Sequence, residues 1–202
     1  AVGRHTTILP TTTGDQLATA VAMLELLDRL SLGPSTNHDV VASALDEVAV
    51  SCSPHRDLAV NAAKGLASGL AETSPLLWGG TVLAARAARR VAEALRRATG
   101  RAVLAADAEH LLPILEAAEP ADVFADPFAD PGTDLRPSLV VLDDGYADDV
   151  ATATRQRLVD AAESRGVRVE LITSAAEGDV ARYAAMLATG TYAAAYLRIG
   201  QS

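Results

Sequence analysis

Ser138-Leu139-Val140-Val141-Leu142, followed at once by Asp143-Asp144-Gly145, sets the reading of this chain. An unbroken apolar run closed by a turn describes a strand buried on both faces, and such strands belong to parallel sheets covered by helices. Three further strand candidates are residues 75–78, residues 102–105, and Val167 to Ile172. Helical stretches separate them. One runs from Val82 to Thr99 and stops at Gly100, a good C′ residue. A second covers Glu109 to Ala118; a start at Leu112 makes Pro113 its first helical residue. A third covers Asp149 to Arg165, and helices at 179–189 and 192–198 close the chain. The alternation predicts an α/β, doubly wound parallel sheet of residues 75–78, 102–105, 138–142 and 168–172, with the first and third strands adjacent.

The N-terminal side reads differently. Thr6 to Pro10 suggests a short strand. Thr13-Gly14-Asp15-Gln16 fits a capping box with Thr13 as N-cap and Gln16 at N3, opening a helix from Asp15 to Leu30. Helices at 37–50 and 56–71 follow, so this part is an N-terminal helical extension. Residues 121–137 contain Phe-Ala-Asp-Pro twice and are expected to form an exposed, irregular loop.

Composition narrows the function classes. With 202 residues, half of them hydrophobic, the chain can bury a sizeable core. Only 3% are aromatic, so Ala, Leu and Val must fill that core. A net charge of −9 offers no broad phosphate-backbone footprint, which argues against nucleic acid. The single cysteine, Cys52, excludes an intrachain disulfide, and the four histidines show no ligand spacing, so a metal centre is not expected. No apolar run reaches membrane-span length and no signal peptide opens the chain, which gives the expectation of a cytoplasmic protein without a membrane partner. The opening Ala-Val-Gly, without Met, fits a fragment or processed chain.

Ligands of such sheets bind at the carboxyl ends of the strands, so the residues there are the candidates. Gly79, Gly80 and Thr81 lie between a strand and a helix N-terminus, where free N–H groups attract anions; the alternative is a tight turn with Thr81 as N-cap. Thr11, Thr12 and Thr13 offer hydroxyls beside a helix start, or simply the capping box. Asp143 and Asp144 suit sugar hydroxyls or a metal, against a solvated turn. Glu109 and His110 are suitable types for moving a proton between two carbons and for ring opening, against an exposed helix start. Arg86, Arg89, Arg90 and Arg97 share a helix face that reads as solvated, with a partner interface as the alternative.

Three segments carry a resemblance. Asn61-Ala62-Ala63-Lys64-Gly65-Leu66-Ala67 with Pro75-Leu76-Leu77-Trp78-Gly79-Gly80, then Ser138 to Asp144, then Ala181-Arg182-Tyr183-Ala184 with Thr191-Tyr192-Ala193-Ala194-Ala195-Tyr196-Leu197, occur in an order that resembles the second sugar-isomerase (SIS) domain of bacterial bifunctional phosphoglucose/phosphomannose isomerases. The resemblance spans about Asn61 to Gly200. It implies a SIS-type sheet of flavodoxin-like strand order. Residues 1–73 then form the end of a preceding domain plus connecting helices, and residues 74–202 form the SIS-like sugar-phosphate domain. It further implies aldose–ketose isomerisation of glucose or mannose 6-phosphate in the parent protein, no cofactor, and a homodimer. Glu109 and His110 would be the proton-transfer residues, and Gly79, Gly80, Thr81 and Asp143 would bind substrate. The alternative is a non-catalytic module that binds or senses a sugar phosphate.

The sequence departs from the family pattern in two places. Ala108-Glu109-His110-Leu111-Leu112-Pro113 stands where the family has a Pro-Glu followed by Asn-His-Asn-Glu, and no late lysine precedes Ser202. Isomerisation also needs phosphate anchoring to orient the sugar carbons. The expected outcome is that these 202 residues alone show no phosphoglucose or phosphomannose isomerase turnover. A coupled assay on the purified chain checks this, and a rate abolished by Glu109→Gln would overturn it.

Overall fold

The structure is a computed structural model that describes residues 14–119, 135–146 and 148–200. Three helices come first: α1 (Gln16–Arg29), α2 (His38–Ser51) and α3 (Ala62–Leu70), with a short 3-10 helix, Leu58–Val60, before α3. Strand and helix then alternate: β1 (Thr73–Gly79), α4 (Val82–Thr99), β2 (Leu104–Ala105), α5 (Ala108–Glu116), β3 (Arg136–Asp143), α6 (Asp149–Ser164), β4 (Arg168–Thr173) and α7 (Asp179–Gly200). The strands form one parallel sheet in the order β2-β1-β3-β4, with β1 and β3 adjacent as the sequence predicts.

Pleat alternation sorts the strand residues onto two faces. Leu77 of β1, Val140 and Leu142 of β3 and Ile172 of β4 join the core formed with α3, α4 and α7. Leu76, Trp78, Leu139 and Val141 point the other way into the core with α5 and α6. A third cluster joins Val21 of α1, Val41 and Ala44 of α2, and Ala181, Ala184 and Ala185 of α7. Small side chains let the helices come close. A Cβ on Gly190 in the middle of α7 would sit 2.4 Å from Cγ2 of Val91 in α4. This seam makes α7 one continuous helix where the sequence suggested a break after Thr189, because Gly190 is needed against Val91 and the helix simply runs through it.

Several boundaries differ from the sequence reading for local reasons. Asp15, not Thr13, caps α1, accepting from the Leu17 N–H at 2.8 Å and the Ala18 N–H at 3.3 Å. The third helix starts at Ala62, not Arg56, because the Asn61 side chain takes the Lys64 N–H at 3.0 Å and also donates to the Ser53 carbonyl at 3.0 Å. Lys64 reaches back to the carbonyls of Pro54 at 2.8 Å and Arg56 at 2.7 Å. Asn61 and Lys64, prominent in the resemblance, thus clamp the loop before α3. Only Leu104 and Ala105 of the second predicted strand pair with β1; the carbonyls of Ala102 and Val103 are taken by the side chains of Ser74 and Arg96. Helix α5 begins at Ala108 rather than Leu112, since burial of Ala108, Leu111 and Leu115 favours a helical turn ahead of Pro113. Pro137, expected in a loop, is the second residue of β3, before pairing with β4 begins at Ser138, a place where a missing N–H is tolerated. The readings for Thr6 to Pro10, Thr11 to Thr13 and residues 121–134 fall outside the described residues.

The Gly190–Val91 contact generates a double-mutant expectation. Gly190→Val overpacks the seam and lowers the unfolding free energy by about 1–3 kcal/mol. Adding Val91→Ala to Gly190→Val relieves the clash, so it costs less there than in the wild type, where a new cavity dominates. Urea unfolding of the four proteins of the cycle measures this.

Candidate functional site

The strand order changes direction around β1: its crossover through α4 leads outward to β2, and the chain then returns to place β3 on the other side. The crevice between the carboxyl ends of β1 and β3 is the switch point at which such sheets bind ligands. Two turns meet there, Gly79-Gly80-Thr81 after β1 and Asp143-Asp144-Gly145 after β3. Gly79 is required: a Cβ would lie 2.3 Å from the carbonyl carbon of Ala84, so no other residue lets β1 pass so close to the first turn of α4. Thr81 is the N-cap of α4 and accepts from the Ala84 N–H at 3.1 Å.

The Thr81 hydroxyl also donates to Oδ2 of Asp144, which ties the two turns together. Asp144 is 7% exposed, and its other oxygen accepts from the Tyr146 N–H at 3.3 Å. Asp143 forms an ion pair with Arg155 of α6 and takes the Gly145 N–H at 2.9 Å. Within this turn Asp144 is therefore a buried polar tie, while Gly145 and Tyr146 stay exposed, as the turn's composition suggested. The space enclosed by Trp78, Gly80, Thr81, Asp143, Asp144 and Arg155 is only about 10 Å³, room for one water at most.

Beyond Tyr146 lies Arg182 of α7. Its guanidinium stacks on the Tyr146 ring at 4.1 Å, donates to Oδ1 of Asp179 at 2.9 Å and to the Ala176 carbonyl at 3.1 Å. Burial works against its charge, but the hydrogen bonds and charges of Asp179 and Tyr146 outweigh burial and hold its pKa above the usual arginine value. Arg155 comes from α6, the helix that directly follows the turn, whereas Arg182 reaches it from α7, farther along the chain.

Of the sequence candidates, Gly79, Gly80, Thr81 and Asp143 come together at the crevice. Glu109 and His110 stand on the first turn of α5, after the edge strand β2, and do not line the space between the two turns. Both are exposed, and among the described residues neither side chain makes a hydrogen bond or an ion pair. Their helix belongs to the layer opposite α4 and α7. Among the described residues, no group of three or more His, Cys, Asp or Glu side chains gathers where it could hold a metal ion, and no helix is long and apolar enough to cross a membrane.

Residues 59–201 match the family described as the bacterial phospho-glucose isomerase C-terminal SIS domain. Among solved structures the chain is similar to a glucose-6-phosphate isomerase like protein from Thermus thermophilus, with a TM-score of 0.58 and 20% sequence identity. The match covers 81% of this chain and 50% of that one, so the chain spans about half the length of that protein. At this identity the likeness speaks for the fold. No curated protein matches the chain.

The lock between the two turns predicts a stability effect. Thr81→Val removes the donor to buried Asp144 and the cap of α4, and is expected to cost about 1–3 kcal/mol. Thr81→Ser keeps both bonds and loses less than half as much. Chemical denaturation of the two variants checks the order.

Proposed function

The chain belongs to the bacterial phospho-glucose isomerase C-terminal SIS domain family, and from that premise we propose that it supplies the second SIS domain of a sugar-phosphate isomerase. The observation that carries the reading is the family match across residues 59–201, the stretch that contains the whole parallel sheet. The substrate is a hexose 6-phosphate of the glucose or mannose type. The reaction is aldose–ketose interconversion in the intact parent protein.

Glu109 is the proton-transfer residue in this reading. Its carboxylate removes the proton from C2 of the open-chain aldose and returns it to C1, while the O2 hydroxyl proton passes to O1, so the carbonyl moves from C1 to C2 and no redox partner is needed. His110 is the acid/base group for ring opening. Adjacent helical residues point about 100° apart, which suits two groups acting at two different positions of one sugar. Gly79, Gly80, Thr81 and Asp143 bind the substrate in this proposal. Thr81 and Asp143 already hold Asp144 and Arg155, so contact at that crevice falls chiefly to exposed Gly80 and the remaining lone pairs of Asp143. The compartment is the cytoplasm and the assembly a homodimer.

One observation favours the second reading, a non-catalytic sugar-phosphate-binding module: no described residue orients Glu109 or His110 by a side-chain hydrogen bond. A coupled assay on the full-length protein with glucose 6-phosphate and mannose 6-phosphate separates the two. Glu109→Gln is expected to lower kcat by about 10²–10⁴-fold with KM changed only a few-fold. Absent turnover in the wild type, together with a thermal shift on adding hexose phosphates, would leave the binding module in its place.

A further inference from the structure

The arginine face of α4 is exposed, as its sequence suggests. Together with the N-terminal turn of α1 and the middle of α7 it lines a groove of about 690 Å³. Arg86, Arg89, Arg90 and Arg97 stand along it, opposed among the described lining residues by two carboxylates, Asp15 and Glu93. A chain with a net charge of −9 therefore has a locally positive groove on this surface. The thirteen residues that precede Gly14 contain no Asp or Glu, so they bring no countercharge of their own.

The arginines divide into two sets. Arg90 is pinned: it donates to Gln16 across the groove at 2.7 Å and to Glu93 at 2.7 Å, and Arg97 also pairs with Glu93. Arg86 and Arg89 make no hydrogen bond or ion pair through their side chains among the described residues. Holding two such cations close together on one helix costs free energy unless an anion sits between them. From Arg86 to Arg97 the helix rises about 16 Å, enough for a ligand with more than one phosphate. Tyr183 and Leu187 of α7 and Leu17 of α1 give the groove apolar surface that can take a ring.

We propose that this groove binds a small organic polyphosphate, with its phosphates on Arg86, Arg89 and the pinned Arg90 and its ring against Tyr183 and Leu187. The site is distinct from Glu109 and His110, which belong to the opposite helical layer. Binding there does not depend on the isomerase reading.

Isothermal titration of the full-length protein with inorganic pyrophosphate and with a nucleoside diphosphate tests it. The expected result is saturable binding of both, tighter for the nucleoside diphosphate because only it uses the apolar floor. Arg86→Ala and Arg89→Ala are expected to weaken each ligand at least tenfold, while Arg86→Lys retains part of the affinity. Neither replaced side chain has a partner to lose among the described residues, and thermal unfolding without ligand controls for folding. Arg157→Ala, an exposed arginine on α6, should leave binding unchanged. Absence of saturable binding would overturn the proposal and point to an acidic protein surface as the occupant. Equal loss in Arg157→Ala would overturn it as well, since net charge and not the groove would then be responsible.

Discussion

The parallel ladder between β1 and β3 is the constraint on which everything else rests. Seven successive registers, from Thr73 opposite Arg136 to Gly79 opposite Leu142, fix how far each strand extends toward the carboxyl edge. Leucines and valines on both faces of this pair are nearly all withdrawn from water, so a slip of one residue would exchange the two cores. A hydroxyl pair, Thr73 with buried Ser138 at 2.8 Å, marks the register at its amino end. The Thr81–Asp144 bond marks it at the other. The crevice geometry is thus the terminal consequence of strand pairing and does not depend on loop chemistry alone.

Helix packing around the ladder follows from a shortage of large side chains. With one Trp, two Phe and four Tyr in the chain, the volume between elements is filled by Ala, Leu and Val. Ala84, Ala87, Ala88 and Ala92 of α4 share one core with Ala193 and Ala194 of α7, and Gly190 brings the two helices close. Close backbones gain dispersion contacts but leave little tolerance for added volume. The larger polar side chains work at the edges of this packing: Arg101 donates to the carbonyls of Leu70 and Ala71, and the Tyr196 hydroxyl to that of Cys52 at 2.7 Å.

Much of this was legible in the sequence because periodicity and burial agree. The four strands, their parallel sense and the adjacency of β1 and β3 could be read from apolar runs separated by helical crossovers, and α4 from its periodicity and its stop at Gly100. What escaped was set by contacts distant in sequence. Nothing near Gly190 announces that Val91 will lie against it, so a glycine that normally weakens a helix read as a break. Asp144 looked like part of a wet turn because its partner Thr81 is recognised only once β1 and β3 are paired. For the candidate site, residue types and loop positions were readable. The tie between Thr81 and Asp144 was not, because it depends on the pairing of β1 with β3.

Helix α7 has a property that its packing role hides. Its 22 residues make a rod about 33 Å long. Near one end Arg182 stacks on Tyr146 beside the carboxyl edge of the sheet, and near the other Tyr196 holds the Cys52 carbonyl. The loop after β3 and the start of the connection between α2 and α3 are thus both fastened to one helix, which sets the span between them.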